Sequence, residues 1–217
     1  MQVHKTGKVF SKEPLTPEQI DYLCNELEKR EEWQKLAYVK YTYSTGCRRA
    51  ESRQLLKEVI NYEPKRKMVK IIDEDGVEHE VESVSYKTHD IRCKGRSKVG
   101  KIRKLQFGED VMIALKKWIE VRGEDDCPYM FVIKQKNGET RQVSEGVFND
   151  WCINEFSAIV GQRLTPHGLR RSRATNLVVY NHRPLETAQK LLGHESSETT
   201  QIYVIREDSD DADDAFV

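Results

Sequence analysis

The sequence predicts a mixed α/β fold of the α+β type, mostly helical with a small three-stranded antiparallel sheet. Helical patterns dominate both ends of the chain, and a block of strand-like sequence lies between positions 68 and 107. Turn signals at Asp75-Gly76 and Val99-Gly100 interrupt this block. Strands joined by short turns pair with their neighbours as antiparallel hairpins, so we expect the sheet to be built from local contacts.

The N-terminal part predicts two helices and a short third one. Thr16 can cap a first helix within 15–30, because its hydroxyl can accept a hydrogen bond from a free backbone N–H of the first turn. A second helical pattern covers 31–44 and stops at Gly46, and a short helix is expected at about 50–56. The two longer helices have enough apolar residues on one side to contribute to a core.

The remainder of the chain is predicted to return to helices after the strands. Helical patterns cover 108–121, 143–160, 167–180, 185–193 and 197–205, and a short strand is expected at 129–133. With 217 residues and 37% hydrophobic residues the chain can bury a core of its own. We therefore assign residues 1–206 to one domain and residues 207–217 to an acidic C-terminal tail.

The net charge of zero conceals an uneven distribution. The tail EDSDDADDAFV holds six carboxylates, and without them residues 1–206 carry 36 basic and 30 acidic residues, a net charge of +6. Seven basic residues and no acidic one lie between Arg92 and Lys104. Such a segment could face phosphates or could be an ordinary solvated hairpin, and charge alone does not decide between these two interpretations.

Composition also indicates a location and argues against several kinds of site. No apolar run is long enough to cross a bilayer, and the N-terminus lacks a secretory signal, so we expect a cytoplasmic protein with no membrane partner. The five cysteines are scattered and form no CxxC pair. The sequence therefore predicts no metal site and no cofactor.

Three short stretches contain candidate catalytic residues. They are TGCRRAE at 45–51, HGLR at 167–170 and LLGH at 191–194, and the last is followed nine residues later by Tyr203. Each alone has an ordinary structural explanation, since an arginine after a turn is usually a surface charge and a tyrosine on an amphipathic helix usually packs. Their combination and order are what indicate a function.

Together these stretches resemble the tyrosine recombinase (phage integrase) family. That family's pattern has an arginine in a TGxRxxE turn, a lysine on a β-hairpin, HxxR on a helix, a histidine in an LGH turn and a nucleophilic tyrosine. The resemblance runs from about Leu15 to Arg206, although Arg171 stands where the family usually has histidine. The matching catalytic positions, in the family's order, are Arg48, a hairpin lysine, His167, Arg170, His194 and Tyr203.

Two lysines could fill the hairpin position. Lys98, Gly100 and Arg103 fit the family's K-x-G-x-x-R spacing into the following strand. Lys94-Gly95 resembles the alternative K-G form but needs a longer turn. We assign Lys98 and keep Lys94 as the alternative.

The resemblance implies an enzyme on the tyrosine recombinase catalytic fold that breaks and rejoins DNA at specific sites through a 3′-phosphotyrosyl bond. Tyr203 would be the nucleophile, and Arg48 and Arg170 would hold the phosphate. His167 would assist proton transfer, His194 would hydrogen-bond the phosphate, and Lys98 would protonate the leaving oxygen. This chemistry is typical of mobile-element integration and of DNA recombination more widely.

The expected partners are double-stranded DNA and further copies of the chain, in a homo-oligomer that is a tetramer on DNA. Members of the family usually carry a separate N-terminal DNA-binding domain, and we expect that domain to be absent. The chain would then be either an excised catalytic fragment, which we favour, or an unusually minimal recombinase. Two alternatives stay open: a type IB topoisomerase, which uses the same kinds of catalytic residue, and a catalytically silent DNA-binding protein on this fold.

Overall fold

A computed structural model describes residues 13–72, 76–95 and 100–193 of the chain. The predicted helix at 197–205 and the acidic tail at 207–217 lie outside these residues. The helices are α1 (Pro17–Lys29), α2 (Trp33–Thr45), α3 (Arg49–Ser52), α4 (Glu109–Arg122), α5 (Glu145–Asp150), α6 (Ser157–Val160), α7 (Pro166–Val178) and α8 (Leu185–Leu192).

The strands form one three-stranded antiparallel sheet and two small hairpins. They are β1 (Lys65–Ile72), β2 (Glu78–Lys87), β3 (Ile91–Cys93), β4 (Lys101–Arg103), β5 (Gln106–Gly108), β6 (Val132–Lys134) and β7 (Thr140–Gln142). The sheet has the order β1-β2-β5, while β3 pairs only with β4 and β6 only with β7 among the described strands. The α+β fold with its three-stranded sheet is confirmed.

The third strand of the sheet is not the one that follows β2 along the chain, although the expectation of local hairpins had it so. The sequence predicted a strand at 89–96, and local hairpins would have made it a neighbour of β2, but besides β1 the partner of β2 is β5. The cause lies at Thr88, which is buried, donates its backbone N–H to Leu105 O at 2.9 Å and accepts the Leu105 N–H on Oγ1 at 2.9 Å. These two bonds join β2 to β5 directly, so the intervening residues leave the sheet as a separate β3–β4 hairpin.

The start of α1 follows from its sequence. Thr16 Oγ1 accepts the Gln19 N–H at 3.3 Å, and Gln19 Oε1 accepts the Thr16 N–H at 3.0 Å. This reciprocal pair satisfies two backbone donors that have no partner within the helix. The predicted cap at Thr16 is therefore confirmed.

The central helix is α2, which packs against α1, α4 and α7. Its Tyr38 lies in an aromatic cluster, stacked on Phe148 with ring centroids 4.3 Å apart and edge-on to Phe131 at 5.7 Å. Tyr38 is completely buried. Because α2 is fixed by the core on several sides, the turn at its C-terminal end is fixed as well, and that turn precedes Arg48.

The predicted long helix at 143–160 is interrupted in its middle. Residues Trp151–Phe156 form a wider π-helical turn between α5 and α6. Phe156 and Cys152 of this turn are fully buried, so the widened turn contributes to the core. None of the described helices is both long enough and apolar enough to cross a membrane.

Candidate functional site

The turn before Arg48 is shaped by Thr45 and Gly46. Thr45 Oγ1 donates to Tyr41 O at 2.7 Å and accepts the Cys47 N–H at 3.3 Å. Gly46 has φ 60°, and a Cβ at this position would lie 2.7 Å from Leu192 Cδ2. Both the left-handed backbone and the close approach of α8 therefore require glycine here.

Arg48 precedes α3 and is held by Glu51. Glu51 Oε2 accepts the Arg48 backbone N–H at 2.9 Å, and Oε1 accepts from Arg48 Nη1 at 3.0 Å. The Glu51 side chain is almost fully buried, whereas that of Arg48 is 31% exposed. A charge-assisted bond from a fixed carboxylate orients the guanidinium while part of it stays open to solvent.

Helix α7 presents His167 and Arg170 from its first turns. Thr165 caps the helix by accepting the Gly168 N–H at 2.9 Å, and Pro166 suits the first helical position. His167 and Arg170 are three residues apart and hence on the same side of the helix. His167 is packed on one side and keeps part of its surface open to solvent, whereas Arg170 is buried.

Arg170 ties three segments together. Its Nη1 donates to Gly46 O, in the turn before Arg48, and its Nη2 donates to Leu192 O at 2.9 Å, at the end of α8. A buried guanidinium needs such acceptors, because it stays charged at any physiological pH. The charge of Arg170 is thereby kept inside the protein, beside a cleft that Arg48 and His167 also line.

Arg48, His167 and Arg170 line one cleft of about 370 Å³. The other lining residues are Arg49, Asn149, Thr165 and Pro166, so the lining contains three arginines and no carboxylate. Partial burial and the charges of Arg170 and Arg48 lower the pKa of His167 from its usual value. A lowered pKa favours the neutral imidazole, which can accept a proton, and the cationic lining suits an anion.

A larger cleft of about 530 Å³ lies between α1, α2, α4 and α7. Its lining has mixed charge, with Asp21, Glu28 and Asp110 beside Lys40 and Arg173. These carboxylates would repel a phosphate. The smaller cleft at Arg48 is therefore the better candidate site for a polyanion.

The β3–β4 hairpin is fastened next to α3. Gln54 Oε1 accepts the Arg92 N–H at 2.9 Å, and Gln54 Nε2 donates to Arg92 O at 2.9 Å. Strand β3 packs against α3, the helix that contains Glu51, and burial and the charge of Glu51 raise the pKa of the Cys93 thiol to about 11. Lys94 follows directly and is exposed.

The structure brings together three of the predicted catalytic residues, namely Arg48, His167 and Arg170. Lys98, His194 and Tyr203 lie outside the described residues. Sequence reasoning gave no role to Glu51 or Gln54, although Glu51 belongs to the TGxRxxE pattern. The role of Glu51 could have been recognised in the sequence, because a glutamate three residues after a helix cap typically accepts the backbone N–H of the cap residue. Nothing in the sequence marks Gln54.

Within residues 13–72, 76–95 and 100–193, no three His, Cys, Asp or Glu side chains gather into a group that could hold a metal ion. Arg48 and Arg170 already place fixed positive charge at the cleft. A guanidinium can neutralise phosphate oxygens in a fixed, bidentate geometry. The arrangement can thus stabilise negative charge developing on a phosphate.

Comparisons with known proteins agree with the fold and with the family resemblance. The sequence model of the phage integrase family matches residues 13–209. The chain is 26% identical over 211 residues to the SPbeta prophage-derived recombinase-like protein YomM of Bacillus subtilis, covering 96% of this chain and 58% of YomM. It is 30% identical over 171 residues to the tyrosine recombinase XerC of Corynebacterium glutamicum, covering 77% of this chain and 45% of XerC.

Among solved structures, the XerH site-specific recombinase bound to its palindromic difH substrate has the same fold. The TM-score is 0.64 at 19% identity, covering 98% of this chain and 54% of XerH. The chain thus spans about half the length of the curated relatives it matches.

Proposed function

Because this chain belongs to the phage integrase family, we propose that it cleaves and rejoins double-stranded DNA as a site-specific recombinase. The observation that carries the proposal is the cationic cleft in which Arg48, His167 and Arg170 meet. Arg48 is far in sequence from His167 and Arg170, and the three residues stand at three of the family's catalytic positions. Tyr203 and His194 occupy the family's remaining positions toward the C-terminus.

The two arginines would stabilise the reacting phosphate. Attack on a phosphodiester builds negative charge on the two non-bridging oxygens, and donors fixed beforehand stabilise this charge without reorganising. Arg48 is fixed by Glu51, and Arg170 by the backbone oxygens of Gly46 and Leu192. Positive charge at fixed positions supplies what a metal ion would otherwise supply, so the proposed reaction needs no cofactor.

The histidines and a hairpin lysine would transfer protons and donate hydrogen bonds during the reaction. A tyrosine hydroxyl with a reference pKa of about 10 needs a base and a positive environment to attack near neutral pH. His167 suits the base, because a lowered pKa favours the neutral ring, which can accept a proton. His194 would donate a hydrogen bond to the phosphate.

The leaving 5′-oxygen needs a proton, and a lysine of the β3–β4 hairpin would donate it. Lys98 is the residue chosen from the spacing, and Lys94 is the alternative. In favour of Lys94, it directly follows β3, which packs against the helix that contains Glu51. Either lysine would complete the same proton transfer.

The product would be a 3′-phosphotyrosyl bond and a free 5′-hydroxyl. The phosphotyrosyl bond replaces the phosphodiester at similar free energy, so a 5′-hydroxyl from another strand can reverse the attack without ATP. Exchange between two duplexes cuts both strands of each one, and one protomer for each cut gives a tetramer on DNA. Each protomer would contribute one cleft, and the four clefts together would bind two aligned duplexes. The DNA substrate would thus be part of the assembly.

The proposal is tested by capturing the covalent intermediate on a nicked duplex, from which the cleaved end diffuses away. Wild-type protein should accumulate an adduct that survives denaturing electrophoresis, whereas Arg48→Ala and Arg170→Ala should not. An exposed arginine outside the cleft, as in Arg66→Ala, provides the control. A chain that binds DNA and never forms the adduct would be a silent DNA-binding protein.

The topoisomerase alternative predicts a different second result. Both enzymes form the adduct, but only a recombinase joins strands of two different duplexes. The purified chain should therefore yield recombinant products from two matched sites. Efficient relaxation of a supercoiled plasmid that lacks such sites would favour the topoisomerase.

A further inference from the structure

The C-terminal end of α8 is held by two guanidinium groups. The last carbonyls of a helix have no partner within it and need donors from elsewhere. Arg103 Nη2 donates to Leu191 O at 2.8 Å and to Lys190 O at 3.2 Å. Arg170 Nη2 donates to the next carbonyl, Leu192 O, at 2.9 Å. Two positive charges at this end also complement the helix dipole.

Gly193 provides the space that the Arg103 guanidinium occupies. Its φ is 66°, and a Cβ built on it would lie 2.1 Å from Arg103 Nη1 and 2.5 Å from Arg103 Cζ. The guanidinium therefore lies directly against the Gly193 backbone. Gly193 immediately precedes His194 in the sequence.

Arg103 belongs to the hairpin that contains the two candidate lysines. It pairs with Ile91 across β3 and β4, and Lys94 and Lys98 lie between these two strands in the sequence. Gln54 holds the other strand of this hairpin beside α3. One side chain thus connects the hairpin to the residue that precedes His194.

We propose that Arg103 is a positioning residue, which locks the β3–β4 hairpin to the end of α8 so that the hairpin lysine and His194 act on the same phosphate. This inference rests on the proposed function. Arginine suits the task because Nη2 donates to two neighbouring carbonyls while the rest of the planar guanidinium packs on Gly193. A lysine ammonium would keep the charge but lose this geometry.

The first test compares Arg103→Met, Arg103→Lys and a charge control, Lys101→Met, which changes an exposed residue of the same strand. Loss of the link should slow adduct formation by on the order of 10²-fold, the effect of misplacing reacting groups by about 1 Å. Arg103→Lys should give an intermediate rate. DNA affinity should fall no further in Arg103→Met than in Lys101→Met, because each variant removes one positive charge.

The second test separates positioning from a general loss of structure. A substrate with sulfur at the 5′-bridging position has a leaving group that needs no proton. It should restore part of the rate of Arg103→Met, because the displaced lysine is then no longer required. A merely unfolded or weakly binding variant would gain nothing from the sulfur.

The third test acts on the other partner of the contact. Gly193→Ala should displace the guanidinium and slow cleavage, whereas Gly161→Ala changes a glycine of similar φ, 74°, with open space around it. Because both changes break one link, the effects of Gly193→Ala and Arg103→Met should not add in the double variant.

Several outcomes would overturn the inference. They are a wild-type cleavage rate in Arg103→Met, a rate loss that only follows a loss of DNA affinity, no gain from the bridging sulfur, and additive effects with Gly193→Ala. If the wild-type chain forms no adduct, the proposed function fails. Amide hydrogen exchange then tests separately whether Arg103 holds the end of α8. Faster exchange at the end of α8 in Arg103→Met would retain the link, and unchanged exchange would refute it.

Discussion

Glu51→Gln removes the charge that holds Arg48 while keeping the size of the side chain. The amide oxygen can still accept the Arg48 backbone N–H, but the amide nitrogen then faces Arg48 Nη1, where a carboxylate oxygen now lies at 3.0 Å. The loss of a hydrogen bond between charged groups costs about 1.5–3 kcal/mol. Because the Arg48 side chain is 31% exposed and remains partly hydrated, we expect about 2 kcal/mol.

This free energy corresponds to a measurable change in melting temperature. For a domain of this size about 1 kcal/mol shifts Tm by about 2–4 °C, so Glu51→Gln should melt about 4–8 °C below wild type. The matched control is Glu145→Gln, which breaks the neighbouring ion pair to Arg49 at 2.8 Å, where both side chains are more than 40% exposed. An exposed pair contributes about 0–1 kcal/mol, so the control should melt within about 4 °C of wild type.

Both stability and catalysis should respond to Glu51→Gln. A misoriented Arg48 should slow adduct formation by on the order of 10²-fold, measured with saturating nicked DNA so that binding does not limit the rate. Equal melting temperatures for the two glutamine variants, together with wild-type cleavage in Glu51→Gln, would refute the role given to this carboxylate.

Three further predictions concern the protons and the charges of the reaction. Cleavage should survive EDTA, because arginines supply the positive charge; activity that is lost with chelator and returns with Mg²⁺ would contradict this. Lys98→Ala should slow cleavage by on the order of 10²-fold and be rescued by a 5′-bridging sulfur, whereas rescue of Lys94→Ala alone would transfer the general acid to Lys94. Partial burial, Arg170 and Arg48 lower the pKa of His167, and a bound phosphate should raise it again. DNA binding should then take up protons and strengthen as pH falls from about 8 to about 6, more in wild type than in His167→Gln; equal pH slopes would exclude the coupling.

Local features of the chain were predictable because their causes are local. The cap at Thr16, the break at Gly46 and the helix that carries His167 and Arg170 depend on residues only a few positions apart. Three of the residues that the motifs contain, Arg48, His167 and Arg170, line one cleft. Their catalytic roles stay predictions.

Features that depend on distant contacts were not predictable in this way. The pairing of β2 with β5 depends on Thr88 and Leu105, which are 17 residues apart, and a strand of three residues carries too little pattern to reveal its partner. The contact of Arg103 with the end of α8 spans 88 residues at Leu191 O. The acceptors of Arg170 lie on two other segments, at Gly46 and Leu192.

The most direct test of the account is to identify the amino acid that becomes bonded to DNA. Protein trapped on a nicked duplex is digested with protease and nuclease, and the peptide that carries a nucleotide is sequenced by mass spectrometry. The account predicts a 3′-phosphate ester on Tyr203, and no adduct from a Tyr203→Phe variant that still binds DNA. An adduct that persists in Tyr203→Phe, or that maps to Tyr180, would contradict it.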